Sequence, residues 1–204
     1  MGNGSTRTGT LLLHEISRMQ RTIKLETHYL EPPYKIREDI LSYGDQMSRS
    51  TNVKADHTHW HVHRDNKFET LTNFIHEKYP QHTIEELWGC SYQQGDFTQA
   101  HNHYGFDRAF VWFVDTSATC SPLIFPDPEH PWMPPVHVIT PQKGMMVVFS
   151  GMELHYVPPQ INGYNRIVMS GNLRKYSEEL EGEPFFTNNG ILNNLQRLNN
   201  EGVI

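Results

Sequence analysis

Cysteine is nearly absent: the 204 residues hold two, Cys90 and Cys120, in no CxxC spacing. Neither a disulfide framework nor a cysteine-based zinc site is indicated, and a reducing cytoplasm is the compartment that fits best. Long apolar runs are absent too. The patch Leu11 to Leu13 is no signal-peptide core, and nothing approaches the roughly 20 residues that span a bilayer, so no membrane partner is expected. Positive charge is also in short supply. Lys and Arg number 17 against 23 Asp and Glu, giving a formal net charge of −6. No basic run exceeds a pair, so no nucleic-acid partner is expected. The start MGNGST satisfies the loose myristoylation pattern with Gly2 and Thr6, but such short patterns match often by chance, and a flexible terminus is the plainer reading.

The chain is long enough to bury one core without staples. We expect a single domain over residues 1–204, with a core at about 85–175, strand and helix support at 20–80 and a peripheral tail at 176–204. In IKLETHYL (23–30), Ile23, Leu25, Thr27 and Tyr29 alternate as in a strand, and EPP ends it. IREDILSYGDQM reads as a helix. Phe68, Leu71, Phe74 and Ile75 then share a helical face, with Asp65 or Asn66 to cap it and Pro80 to close it.

From Leu87 the texture becomes β: AFVWFV at 109–114, PLIF at 122–125, HVIT at 137–140, GMMVVFS at 144–150 and RIVMSGNL at 166–173, parted by Gly and Pro turns. Short strands without intervening helices predict a mainly β domain with flanking helices, an antiparallel sandwich or barrel. The Asn-rich tail NNGILNNLQRLNNEG is a short peripheral helix or loosely held.

Two histidine clusters compete for the chemistry. HTHWHVH places His57, His59, His61 and His63 on one strand face, successive pairs about 7 Å apart, too spread for one ion to gather all four. An exposed sheet face or edge, with Thr58, Trp60 and Val62 on the other side, accounts for them. His101 and His103 in QAHNHYGFD form a single i, i+2 pair that can chelate one ion. Far downstream, after β segments and turns, come His155 in GMELHYVPP and Arg166 in NRIVMSGN.

This arrangement resembles the iron(II)- and 2-oxoglutarate-dependent oxygenases, in particular the prolyl-hydroxylase-like group of phages and marine bacteria, over roughly residues 85–175. TNVKADHTHW adds a weaker likeness. That family carries HxD or HxE on one strand of a double-stranded β-helix (a jelly-roll, cupin-like barrel), then a distal His and a basic residue. Here HNH stands at the first position, His155 at the distal one and Arg166 at the basic one. YQQGDFTQAHNH, PLIFPDP and PQKGMMVVFSGMELHYV frame them in the family's manner.

The resemblance implies an Fe(II) site with ligands His101, His103 and His155, 2-oxoglutarate as cosubstrate, O2 as oxidant and Arg166 as anchor of the distal carboxylate. A metal that must also bind a bidentate 2-oxo acid and oxygen leaves three positions for protein. Arg offers the planar fork of donors that a buried carboxylate needs. Ser170 shares the face of Arg166 by parity, and Tyr92 could reach the same carboxylate from the neighbouring strand. Trp112 and Phe110 read as sheet packing. Histidine stands at 103 where the family usually has an acid; Asp107 is the nearest acid, and only a sharp turn at Gly105 would bring it back.

The implied activity is hydroxylation of a C–H bond in a peptide side chain, prolyl-type, or in a small molecule. Two rival readings accompany it: a cupin-like three-His dioxygenase without 2-oxoglutarate, and a non-catalytic β-barrel binding module stapled by metal.

Overall fold

A computed structural model describes residues 22–44 and 51–176. The Gly2/Thr6 pattern, Leu11 to Leu13, the end of IREDILSYGDQM and the expected tail past Tyr176 lie outside the described residues. In chain order the elements are β1 (Glu26–Tyr29), α1 (Ile36–Leu41), β2 (Val53–Lys54), β3 (Asp56–His57), α2 (Glu69–Lys78), β4 (His82–Tyr92) and β5 (Phe97–His101). β6 (Arg108–Asp115), β7 (Leu123–Phe125), β8 (His137–Ile139), β9 (Met145–Ser150), β10 (His155–Val157) and β11 (Arg166–Lys175) follow.

The strands form a six-stranded sheet, ordered β1-β9-β6-β11-β4-β3, and a five-stranded sheet, ordered β2-β5-β10-β7-β8. Their pairings are antiparallel. From β4 onward the chain passes back and forth between the sheets: β5, β7, β8 and β10 lie in one, β4, β6, β9 and β11 in the other.

The six-stranded sheet is apolar on both faces, which explains why its strands read as unbroken apolar runs rather than as alternation. Trp88, Val111, Phe113, Val147 and Val168 face the second sheet, joined by Leu123, Phe125 and Val157 from it. Leu87, Phe110, Trp112, Met146, Val148 and Met169 face the opposite way, under Ile36 and Ile40 of α1 and Leu71 and Ile75 of α2. Phe110 and Trp112 therefore pack the sheet, as expected. β4 begins at His82, earlier than the change of texture at Leu87, because its first half is only partly buried and tolerates Thr83, Glu85 and Glu86.

Three readings need correction. In β1, Thr27 and Tyr29 point outward, Tyr29 being 63% exposed. The inward positions are polar: the Tyr79 hydroxyl donates to Glu26 at 2.8 Å and contacts His28 Nε2 at 2.8 Å, and Arg108 donates to Glu26 at 2.8 Å. A partly buried polar network thus sets a parity that apolar periodicity cannot reveal.

Asp65 caps one turn earlier than α2 itself: its carboxylate accepts from Lys67 N at 3.0 Å, starting a 3-10 turn at Asn66–Phe68 that leads into the helix. Phe68, Leu71 and Ile75 are buried beneath it, and Phe74 is only partly covered.

HTHWHVH is not one strand. β3 ends at His57, a single bridge joins His61 to Leu87, and Val62–Arg64 forms a 3-10 turn. The Thr58 hydroxyl takes the Gly89 N–H at 3.0 Å in place of a backbone carbonyl, and Trp60 turns inward to meet Trp88 at 4.7 Å between ring centroids. His57 is buried, donating from Nδ1 to Thr58 O at 2.8 Å, whereas His59 and His61 are exposed.

Both cysteines are free and buried. Among the described residues no helix is long and apolar enough to cross a membrane.

Gly171 sits where β11 runs between β4 and β6, and a Cβ there would lie 2.6 and 2.7 Å from Phe110 ring carbons and 2.8 Å from the Glu86 carbonyl. Gly171→Ala should destabilise the protein by about 1–3 kcal/mol through overpacking. Gly163→Ala, with open space around its Cβ, should change stability by no more than about 0.5 kcal/mol. Urea denaturation midpoints at constant slope measure both.

Candidate metal centre

β5 and β10 are neighbours, and their register sets His155 directly opposite His101. Facing side chains of a strand pair lie on the same side of the sheet. His103 follows just past the end of β5, where its backbone N–H donates to Gly151 O at 2.7 Å and Phe106 N–H closes a turn onto His103 O at 3.1 Å. Gly105 makes that turn with φ +94°, a conformation that favours glycine.

The ring centroids stand 4.3 Å (His101–His155), 5.0 Å (His101–His103) and 5.1 Å (His103–His155) apart. One nitrogen from each lies within 4.8 Å of the others, a group able to hold a metal ion. No such group forms in HTHWHVH among the described residues.

Burial holds all three imidazoles neutral. It lowers the pKa of His101, takes His103 well below the usual value with help from its two histidine neighbours, and takes His155 to about 3. The partners of Nδ1 settle two tautomers, since a carbonyl can only accept. His101 Nδ1 donates to Gln99 O at 2.8 Å and His155 Nδ1 to Glu153 O at 2.9 Å. Each Nε2 keeps its lone pair, the arrangement that orients histidine ligands in metal sites.

The group contains no acid. The turn at Gly105 is present, but the Asp107 carboxylate accepts from Lys175 N at 2.7 Å at the end of β11. Cys90 lines the same cavity, and burial pushes its thiol up to about 12, so it stays protonated.

Arg166 opens β11 opposite Tyr92 of β4 and is 1% exposed. Its guanidinium carbon lies 4.7 Å from the Tyr92 ring centroid and 5.4 Å from that of Phe113. Among the described residues Nε, Nη1 and Nη2 meet no acceptor in hydrogen-bond geometry, and the Tyr92 hydroxyl is a polar group close enough for the guanidinium to favour its ionised form against the effect of burial. The cavity between the sheets is lined by the three histidines, Arg166, Tyr92 and Ser170, with Trp88 and Val168 in its walls. It thus offers three neutral nitrogen donors and an unsatisfied planar cation.

Thr98 is a member that strand parity misses. Its hydroxyl meets the Tyr92 hydroxyl at 2.6 Å inside the cavity. His155 pairs with His101 and Val157 with Thr98, so β5 carries one extra residue where β10 has none. That bulge turns Thr98 onto the face of His101, though their spacing would place them on opposite faces. Tyr92 and Ser170 line the cavity together with Arg166.

No family profile and no curated protein matches the chain. Solved structures do. A prolyl-4-hydroxylase from Pseudomonas putida aligns at 15% identity over 76% of this chain and 95% of that one, with a TM-score of 0.52. HygX from Streptomyces hygroscopicus, solved with nickel, 2-oxoglutarate and hygromycin B bound, aligns at 8% identity over 79% and 91%, TM-score 0.53. A 2OG-Fe(II) oxygenase-family oxidoreductase from Burkholderia pseudomallei aligns at 14% identity and TM-score 0.43, and this chain spans 55% of its length. The likeness to these solved structures, at 15% identity or less, is one of fold.

His155→Ala should abolish stoichiometric metal binding, while the exposed pair His59→Ala, His61→Ala should leave it intact. Metal content after dialysis distinguishes the two, and the reverse result would assign the site to HTHWHVH.

Proposed function

We propose that the chain is an iron(II)- and 2-oxoglutarate-dependent oxygenase on a double-stranded β-helix, with His101, His103 and His155 as metal ligands and Arg166 as the cosubstrate anchor. One observation carries this reading: Arg166 is buried in the cavity that the histidines line, and among the described residues its three guanidinium nitrogens meet no hydrogen-bond acceptor. A buried charge without a partner costs several kcal/mol, so it calls for an anion. A carboxylate answers bidentately. The strand order, with β4, β11, β6 and β9 in one sheet against β5, β10, β7 and β8 in the other, supports the β-helix.

Iron, when bound, supplies oxygen activation coupled to decarboxylation of 2-oxoglutarate, and so hydroxylation of an unactivated C–H bond. The chain's own groups do the rest. His101 and His155 present Nε2 because backbone carbonyls hold Nδ1. Arg166 receives the distal carboxylate, and Tyr92 stacks on the guanidinium while Thr98 orients its hydroxyl. Ser170 can add a hydroxyl donor. Trp88, Val168 and Leu123 line the cavity with apolar surface, which limits water and strengthens the attraction between guanidinium and carboxylate.

The substrate is a prolyl-type peptide side chain or a small molecule. The likenesses to a prolyl-4-hydroxylase and to a hygromycin B-bound protein support the two classes respectively. The free, buried cysteines fit a cytoplasmic setting, in a host cytoplasm if the chain is viral. Absence of a carboxylate from the histidine group favours one second reading, a three-His dioxygenase without 2-oxoglutarate, in which Arg166 holds the substrate's own carboxylate.

Anaerobic titration of the Fe(II)-loaded protein with 2-oxoglutarate should raise a weak visible charge-transfer band; its absence would favour the second reading. Arg166→Ala should weaken 2-oxoglutarate by about 1.5–3 kcal/mol and leave metal affinity little changed. Arg166→Met removes the uncompensated charge at similar volume and should raise the stability of the metal-free protein by about 1–4 kcal/mol. Loss of stability on that change would show that the guanidinium already has a partner.

A further inference from the structure

Gly151 begins the turn between β9 and β10 and is buried. Two backbone bonds clasp it to the turn that follows β5: Gly151 O accepts from His103 N at 2.7 Å, and Gly151 N donates to Asp107 O at 3.2 Å. The approach leaves no room for a side chain. A Cβ on Gly151 would strike the Phe106 carbonyl oxygen and lie 2.8 Å from the His103 carbonyl oxygen. Both obstacles are backbone and cannot swing aside as a side-chain tip would.

The clasped turn is anchored on its far side as well. Asp107 N donates to Leu173 O at 3.1 Å, and the Asp107 carboxylate accepts from Lys175 N at 2.7 Å. Movement of the turn away from Gly151 is therefore opposed by β11. The turn carries His103 at its start, and Gly151 lies four residues before His155 in its own turn. Of the three histidines, His101 and His155 each donate from Nδ1 to a carbonyl within their own segment. For His103 the fixed point is the backbone bond to Gly151.

We propose that Gly151 is a positioning residue for the metal centre: by admitting the 103–106 turn to backbone contact, it sets where the His103 imidazole stands relative to His101 and His155. This rests on the reading of His103 as a ligand. It assigns to the bare backbone at 151 the orienting role that a hydrogen-bond partner on Nδ1 performs for the other two histidines.

The test is a double-mutant cycle read by metal affinity, with zinc(II) alone as the probe, because zinc suits three imidazoles and binds without turnover. Four full-length proteins are compared: wild type, Gly151→Ala, His103→Ala and the double variant. Competition with a chelating indicator gives the affinities, and circular dichroism of the metal-free proteins checks folding. Gly151→Ala should lower zinc affinity about tenfold or more, the usual cost of losing a group that orients a ligand. In the His103→Ala background the same change should alter affinity by less than about twofold, since additivity fails between coupled residues.

An equal loss in both backgrounds would overturn the proposal and show that the added methyl group acts through His155 or the fold at large. Wild-type affinity in Gly151→Ala would overturn it as well. If Gly151→Ala does not fold, Gly105→Ala replaces it in the cycle. Its Cβ meets nothing within 4 Å, yet φ +94° strains the same turn, and the same dependence on His103 is expected. Failure of wild type to bind zinc at all would instead sink the metal-centre reading on which the proposal stands.

Discussion

A buried guanidinium that meets no hydrogen-bond acceptor among the described residues is the constraint around which the rest of this structure is arranged. Arg166 begins a strand whose next residues are core, and the rings of Tyr92 and Phe113 cover it. Ring faces offset part of the desolvation of a cation, but they offer no hydrogen-bond acceptors. The apolar surround that makes the cation costly also makes it a strong anion receptor, because attraction across a given distance grows as the local dielectric falls. The same burial keeps the three nearby imidazoles neutral, and neutral imidazole is the form that binds a metal. One cavity therefore brings together three neutral nitrogen donors and a buried cation.

Much of this was legible in the chain, and its limits have physical causes. AFVWFV, GMMVVFS and RIVMSGNL announce strands because a sheet covered on both sides needs apolar residues at every position. The first half of β4 is silent for the converse reason: it is only partly buried, so its residues carry no pattern. β1 misleads because its inward face is held by Glu26, His28 and Tyr79 through hydrogen bonds, and parity judged on apolar residues then selects the wrong side. Thr98 escapes because a bulge breaks the period of two on which parity depends. Gly151 escapes because a glycine needed for close approach looks, in sequence, like any turn glycine.

The two histidine clusters differ in what surrounds them. HTHWHVH is richer, but the Thr58 hydroxyl and Trp60 break its strand, and its histidines disperse: His57 inward onto Thr58 O, His59 and His61 into solvent. HNH gains its third member from β10, which the topology lays beside β5 although many residues separate them in the chain. A metal centre needs convergence, and convergence comes from neighbouring strands. A row along one strand diverges by the strand's own rise. Counting histidines therefore points to the row that disperses, while asking which strands become neighbours points to the group that converges.

In the proposed site, an imidazole at His103 in place of an acid changes the electrostatics more than the geometry. A carboxylate would cancel one charge of a divalent ion and compete with an incoming anion; a neutral imidazole does neither. Together with Arg166, the loaded cavity is then more positive by one charge than a two-His, one-acid site, which favours a dianionic ligand. The substitution also widens the choice of metal, since three imidazoles suit zinc, nickel and copper as well as iron. Selectivity must then come from how rigidly the three rings are placed. Two of them are held by carbonyls in their own segments; the third hangs from a turn pressed against a glycine. The precision of the proposed all-imidazole site would then rest on a backbone contact between two turns, His103 N–H to Gly151 O.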